Sequence, residues 1–280
     1  MDADGAGCSL TAASGNQPHT VVPAGGAVGK GVAALVPRTG TLLALGRLAG
    51  LFSDTFLAMA GLMCRTLVSG RDEERTAAAA QAWARRTVAR CGVHVSVRGR
   101  PPTRPCVLVA NHRSYLDIAV LLSQVPCLFL AKRELASWPI LGPAARCANT
   151  LFVDRGDEES RRSARDSLGE AVSRGRTVAV FPEGTTSAGP DLLPFRPGVF
   201  AMAAGQGVPV VPVAITYDRP EIAWIGDDEF VPHFLSVFSR ARTVARLAFG
   251  PELDDEDPLA LRQRAWCWIE RRLAASSQPQ

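Results

Sequence analysis

The chain has 280 residues, enough for one sizeable α/β domain with an appendage and too few for several large domains. With 47% hydrophobic and 21% charged residues, the composition excludes a chain that is disordered throughout. A net charge of +4 makes no case for a nucleic-acid partner, although it is compatible with an anionic one. The seven cysteines (Cys8, Cys64, Cys91, Cys106, Cys127, Cys147 and Cys267) are odd in number and form no Cys-x2-Cys pair. That pattern speaks against a disulfide framework and a zinc site and for a reducing compartment.

Residues 1–30 are rich in Gly, Ala, Ser and Pro and lack periodicity, so a disordered segment is expected. Asp2 and Asp4 stand where a secretory signal would be basic. The next stretch, 31–70, is dominated by apolar residues, with charges at Arg38, Arg47, Asp54 and Arg65 and Lys30 at its edge. Its longest run between basic residues, Leu48 to Cys64, is interrupted by Asp54. A spanning helix needs roughly 20 apolar residues and rarely tolerates a central acid. The expectation is therefore an interfacial helix or helical hairpin on a membrane surface. Arginines 71, 75, 85, 86, 90, 98, 100 and 104 follow, against Asp72, Glu73 and Glu74. Such a cluster could meet anionic headgroups or form a solvated helix face.

From residue 71 to 275 the pattern is that of one α/β domain. A helix over 72–91 ends at Gly92, and Val93–Arg98 alternates as a strand. Short apolar runs predict strands at Cys106–Ala110, Cys127–Ala131, Leu151–Asp154, Thr177–Phe181, Val210–Thr216 and Thr243–Phe249. Asp157 caps a helix closed by Gly175, and Asp257-Pro258 opens a final one. Strands alternating with helices predict a layered sheet flanked by helices. Pro212, inside Val210–Thr216, suggests an edge strand or a bulge, the alternative being a buried strand.

The sharpest chemical feature is Asn111-His112-Arg113-Ser114-Tyr115-Leu116-Asp117, directly after a predicted strand. On a continuous helix His112 and Asp117 would diverge by about 140°, at roughly 100° per residue. Across a strand–turn–helix junction they can meet. A carboxylate on one imidazole nitrogen then fixes the tautomer and frees the other to take a proton from an alcohol. The same residues also fit a capping box, Ser114-x-x-Asp117, that merely starts a helix. A second feature is Phe181-Pro182-Glu183-Gly184-Thr185-Thr186-Ser187. There Glu183 could bind a polyol hydroxyl and Gly184 could admit a ligand to the backbone, or the segment is a plain turn. A third is Phe152-Val153-Asp154-Arg155, whose Arg could hold a phosphate or pair with a neighbouring acid.

These blocks, in this order, resemble the lysophosphatidic acid acyltransferase family of glycerolipid acyltransferases over roughly residues 85–220. Positions 111–117 match its Asn-His-x-Ser-x-x-Asp block, Phe152 to Arg155 its Phe-x-Asp-Arg block, and 181–185 its Phe-Pro-Glu-Gly-Thr block. Pro212 falls in its proline-containing strand, and Ala131-Lys132-Arg133-Glu134-Leu135, Trp138-Pro139 and Gly142 are similar to its intervening segment. The resemblance implies a membrane-associated enzyme at the cytoplasmic face. It would transfer a fatty acyl group from acyl-CoA or acyl carrier protein to a lysolipid hydroxyl in phospholipid biosynthesis. In that reading His112 is the base, Asp117 orients it and Lys132 supports the oxyanion. The substrate contacts implied are Asn111, Ser114, Arg155, Glu183, Gly184, Thr185 and Thr186. No metal and no cofactor beyond the acyl donor are implied.

The acceptor expected first is 1-acyl-sn-glycerol 3-phosphate. One departure argues against it: many phosphate-acceptor members carry Arg after Glu-Gly-Thr, where this chain has Thr186. Versions with Glu-Gly-Thr-Thr look like relatives acting on lyso-ornithine lipid or lysophosphatidylcholine, and Arg196 could partly substitute for the missing Arg. A lipid or thioester hydrolase is the competing class, without a Gly-x-Ser-x-Gly elbow to support it. A catalytically inert membrane-binding protein is the third.

Overall fold

The computed structural model describes residues 38–189 and 191–276. The expected disordered segment 1–30 lies outside the described residues, as does the start of the 31–70 stretch. The chain opens with helices α1 (Arg38–Ser69) and α2 (Glu73–Arg90), then strands β1 (Val93–Arg98) and β2 (Val107–Ala110). Helix α3 (Leu116–Gln124), strand β3 (Leu128–Lys132), a 3₁₀ turn at Arg133–Ser137, helix α4 (Leu141–Cys147) and strand β4 (Leu151–Val153) follow. Helix α5 (Glu158–Ser173), β5 (Val178–Val180), α6 (Gly198–Gln206) and β6 (Val210–Tyr217) come next. A second 3₁₀ turn (Pro220–Ile222), α7 (Phe230–Val237), β7 (Thr243–Phe249) and α8 (Pro258–Ser276) complete the chain.

The seven predicted strands form one sheet in the order β1-β7-β6-β2-β5-β3-β4. Pairing is parallel throughout except between β6 and β7. Buried on both faces, the central strands are short apolar runs whose alternate residues feed two cores. Leu108, Ala110, Val211, Val213 and Ile215 face one core with α2, α3 and α7. Val107, Val109, Val178, Val180 and Val210 face the other with α5, α6 and α8.

Strand β6 is interior, so the edge-strand expectation drawn from Pro212 is corrected. Pro212 pairs with Val109 of β2 on one side, while the ladder to β7 starts only at Val213. Its carbonyl accepts from the N–H of Gly250 at 2.8 Å on that side, where the missing proline N–H would have pointed. The proline fits this interior strand because the bonds on that side, from Gly250 N–H to Pro212 O and both ways between Val210 and Leu253, ask no N–H of residue 212.

The hairpin alternative for 31–70 is also corrected: Arg38–Ser69 is one continuous helix of 32 residues. Its two central charges face the domain. Arg47, 8% exposed, donates to the carbonyls of Arg90, Phe238, Arg240 and Ala241. Asp54 accepts two hydrogen bonds from Arg90, at 2.7 and 3.1 Å. Gly50 makes room for that pair, because a Cβ there would lie 2.4 Å from Arg90 Cδ. With these charges turned inward, α1 presents Leu42, Phe56, Leu57, Met63, Leu67 and Val68 outward, the last two 84% and 86% exposed. By length and composition α1 could cross a membrane, yet its inward face is fastened along the α/β domain.

Four of the eight arginines between 71 and 104 have partners within the chain. Arg75 pairs with Asp72, Arg85 donates to Ser123 O, Arg90 holds Asp54, and Arg104 pairs with Glu252 beyond β7.

Candidate active site

Parallel strands place their C-terminal ends on one edge of the sheet, and α/β proteins bind ligands at that edge. His112 follows β2, Lys132 ends β3, Arg155 follows β4, Glu183 follows β5 and Tyr217 ends β6. Four separate motifs thus meet because their strands run the same way.

The turn after β2 is organised by Asp117, which is fully buried. Its Oδ2 accepts from His112 Nδ1 at 2.8 Å, from Arg113 N at 2.6 Å and from Ser114 N at 2.9 Å. Its Oδ1 accepts from Tyr217 Oη at 2.6 Å. The bond from Ser114 N is one half of a capping box; in place of the other half, Asp117 N–H donates to the Ser114 carbonyl at 3.1 Å and Ser114 Oγ accepts a weak bond from Leu116 N at 3.4 Å. The two readings of the motif are therefore one arrangement: the carboxylate that starts α3 is also the carboxylate that holds the imidazole. Burying an anion without a cation is tolerated when its lone pairs are all occupied by donors.

With Nδ1 donating to Asp117, His112 keeps Nε2 as its proton acceptor. The ring stacks on Phe181 with centroids 4.0 Å apart and planes 12° from parallel, and its side chain remains 19% exposed. The backbone of His112 is fixed at both ends. Its N–H donates to Glu183 Oε1 at 2.6 Å, and its carbonyl accepts from Ser187 N at 2.9 Å.

Asn111 is fully buried, and its amide exchanges two hydrogen bonds with the backbone of Ile215, at 2.9 and 2.7 Å. It prolongs the β2–β6 ladder by a side chain while the main chain turns away. Both of its polar atoms are used, so Asn111 frames the turn rather than offering a free substrate contact. Ser114, 1% exposed, belongs to the same frame.

Glu183 is a further case in which the expected ligand contact is already occupied. It is 5% exposed; Oε1 receives His112 N, and Oε2 receives Leu193 N at 3.1 Å and Ser187 Oγ at 3.3 Å. Burial raises its proton affinity above the ordinary glutamate value, against the opposing effect of these donors. It clasps the His112 turn to the 181–193 loop. Thr186 Oγ1 similarly donates to Trp224 O and ties down the 220–228 loop, whereas Thr185 is exposed.

Gly184 has φ +76°, and a Cβ on it would lie 2.4 Å from Arg196 Nε. Its carbonyl accepts from Arg155 Nη1. Two guanidiniums therefore converge on one glycine. Burial first, and the charge of Arg196 second, lower the proton affinity of Arg155, with Glu134 opposing them. Arg196 has no ion-pair partner among the described residues. Lys132 is exposed at the end of β3. Since β5 lies between β2 and β3, its backbone stands about 10 Å to the side of the His112 turn at ~4.8 Å per strand. No hydrogen bond among the described residues draws it nearer.

His112 also lines an apolar cavity of about 270 Å³. Its walls come from α1 (Leu51, Met59, Leu62), α2 (Ala80, Trp83), α3 (Ile118, Ala119), the 135–148 segment and α7 (Phe230, Phe234). Cys91 is part of the wall, but burial pushes its thiol up to about 12, away from thiolate chemistry. Tyr217, the donor to Asp117 Oδ1, was not marked by any motif. Its phenol is pushed well above its ordinary value by burial first and Asp117 second, which keeps it a donor.

A part-exposed His held by a buried Asp on a strand–turn–helix junction, opening on an apolar cavity and flanked by two arginines, is a site for polar chemistry on a lipid. Comparison with known proteins agrees. The family described as Acyltransferase matches residues 93–216. A 1-acyl-sn-glycerol-3-phosphate acyltransferase of Neisseria gonorrhoeae is 32% identical over 177 residues, covering 59% of this chain and 69% of that protein. The chain belongs to this acyltransferase family. A lyso-ornithine lipid O-acyltransferase of Pseudomonas aeruginosa is 40% identical over 156 residues, 54% of this chain and 60% of that protein. Another, from Rhizobium meliloti, is 35% identical over 192 residues, 61% and 65% respectively. The chain thus spans under two thirds of the length of these lyso-ornithine lipid relatives. The crystal structure of the 1-acyl-sn-glycerophosphate acyltransferase PlsC from Thermotoga maritima shares the fold. Its TM-score is 0.67 at 24% identity, over 86% of this chain and 98% of that one.

The clasp gives a test that separates positioning from substrate binding at Glu183. In Glu183→Gln, the amide must set a donor against the N–H of either His112 or Leu193. We expect kcat to fall about tenfold or more, as for a lost hydrogen bond to a charged group, with the acceptor KM little changed. Steady-state kinetics decide it; a raised KM with normal kcat would make Glu183 a headgroup ligand instead.

Proposed function

We propose that the chain is a lysolipid O-acyltransferase. The observation that carries this reading is His112, held by Asp117 at 2.8 Å and lining the apolar cavity. The acceptor hydroxyl gives its proton to His112 Nε2, and the alkoxide attacks the carbonyl of an acyl thioester, acyl-CoA or acyl-carrier protein. Collapse of the tetrahedral intermediate forms the ester and releases the thiolate, which takes the proton back from the imidazolium. Asp117 stabilises the imidazolium while it exists. The acyl chain occupies the cavity, and the oxyanion is met by backbone N–H groups and by Lys132 reaching across from β3.

Arg155 and Arg196, forced together at Gly184, form the headgroup site. An anion between them would relieve the mutual repulsion that burial aggravates. This suits 1-acyl-sn-glycerol 3-phosphate. A second reading, lyso-ornithine lipid, is favoured by Thr186, which uses its hydroxyl on Trp224 where phosphate-accepting members carry Arg. It is also the activity by which the Pseudomonas and Rhizobium relatives are named. Purified protein with labelled acyl-CoA and a panel of lysolipids tests both readings. Transfer to one acceptor is expected, and replacement of His112 by Ala should reduce it by ~10²–10⁴-fold. Hydrolysis without any acceptor would instead indicate a thioesterase, and normal rates in the His112 variant would remove it from the mechanism.

Both lipids reside in a bilayer, so the site must reach one. We infer that the outward apolar face of α1 lies in the interface of the cytoplasmic leaflet, with its inward face closing the acyl cavity. Binding by apolar insertion resists salt, whereas binding by arginines does not. In sedimentation of lysates the protein should stay with membranes through a high-salt wash and need detergent for release. Release by salt alone would contradict insertion of α1.

A further inference from the structure

We propose that Tyr217 is a positioning residue of the His112–Asp117 pair, holding the carboxylate in the one orientation that presents Oδ2 to the imidazole; this rests on the acyl-transfer reading of the site. The hydroxyl of Tyr217 reaches Asp117 Oδ1 at 2.6 Å and is the donor found on that oxygen. The other three donors, His112 Nδ1, Arg113 N and Ser114 N, all lie on Oδ2. A carboxylate bonded through one oxygen can swing about that contact; one bonded through both cannot. The four donors come from two elements. The β2–α3 turn supplies three within five residues of Asp117, whereas Tyr217 reaches over from the end of β6, one hundred residues away in sequence.

The position of Tyr217 is itself constructed. Asn111 locks Ile215 of β6 to the turn by two hydrogen bonds, which sets the level at which the strand passes. Two residues further along, side chains fall on the same face of a strand, so Tyr217 follows Ile215 toward the α3 side of the sheet. The backbone there is held in turn by the β7 partner Ala245. The amide of Asn111 thus fixes the register of the strand that delivers the hydroxyl, and the first and last residues of the Asn-His-x-Ser-x-x-Asp block are both served by β6.

In Tyr217→Phe the ring keeps its packing and one buried carboxylate oxygen loses its donor. Asp117 is then free to turn, and His112 loses the partner that selects its Nδ1–H tautomer. We expect kcat to fall about ten- to a hundredfold, the cost of one hydrogen bond to a charged group, with KM for donor and acceptor unchanged. The chain has four histidines, so nitrogen NMR of a ¹⁵N-histidine-labelled sample can follow the imidazole of His112 directly. The Nδ1–H form should dominate in the parent and give way to Nε2–H in the variant, at a melting temperature within a few degrees. A variant with unchanged kcat and tautomer would overturn the proposal. So would one that fails to fold, since Tyr217 would then be a core residue first. If the parent itself transfers no acyl group, the tautomer shift still reports on the positioning, so failure of the functional reading and failure of this inference are told apart.

Discussion

The carboxylate of Asp117 is the group on which the rest of the site depends. It is fully buried, forms no ion pair with an arginine or lysine among the described residues, and receives N–H and O–H donors on both oxygens. Each such bond to an ion contributes about 1.5–3 kcal/mol relative to an unpaired group. Three of them can form only if the chain after β2 turns sharply enough to bring the N–H groups of Arg113 and Ser114 and the imidazole of His112 onto one oxygen. The anion therefore shapes the loop as much as the loop positions the anion. Helix α3 begins where it does for the same reason, with Asp117 in its first turn near the positive end of the helix.

Around this centre the structure separates two environments. On the α3 side, α1, α2 and α7 enclose apolar space next to the imidazole. On the β4–β5 side, Arg155 and Arg196 gather positive charge at Gly184. In the proposed reaction the donor's acyl chain would lie in the first and the acceptor's headgroup at the second, with the reacting hydroxyl at His112. Helix α1 contributes to both the catalytic domain and its surroundings. Arg47 and Asp54 are fastened inward, which leaves a predominantly apolar outer face. The same two charges that made a membrane span improbable from the sequence are what attach the helix to the enzyme.

Much of this was legible in the sequence. All seven strands are readable from apolar runs, as are the capped helices at Asp157 and Asp257-Pro258, because those signals are local. The short helices α4, α6 and α7 are not: Gly142 and Pro143, Gly198 and Gly205, and Pro232 read as turn residues, and tertiary packing overrides them. The motifs placed His112, Arg155 and Glu183 just past strand ends and Asp117 in the first turn of α3, where the structure has them. They did not reveal where the side chains point. Glu183 looked available to a ligand and instead clasps the His112 turn. Asn111 looked like a contact residue and instead extends the sheet. Tyr217 carries no local signal at all, since its partner is one hundred residues away and only strand register unites them.

The central claim is that Asp117 acts through the orientation of His112 and not merely as the first residue of a capped helix. Asp117→Asn measures it most directly, because the amide keeps the size and can still accept from the N–H cluster at one oxygen, but it carries no charge to stabilise the imidazolium of His112. Turnover with a lysolipid acceptor and the melting temperature should be read on the same preparation. The expected result is a loss in kcat of ~10²–10⁴-fold in a protein that still folds, as when an imidazole loses its orienting carboxylate. A variant that turns over at the parent rate and is only less heat-stable would contradict the account and leave Asp117 as a helix cap.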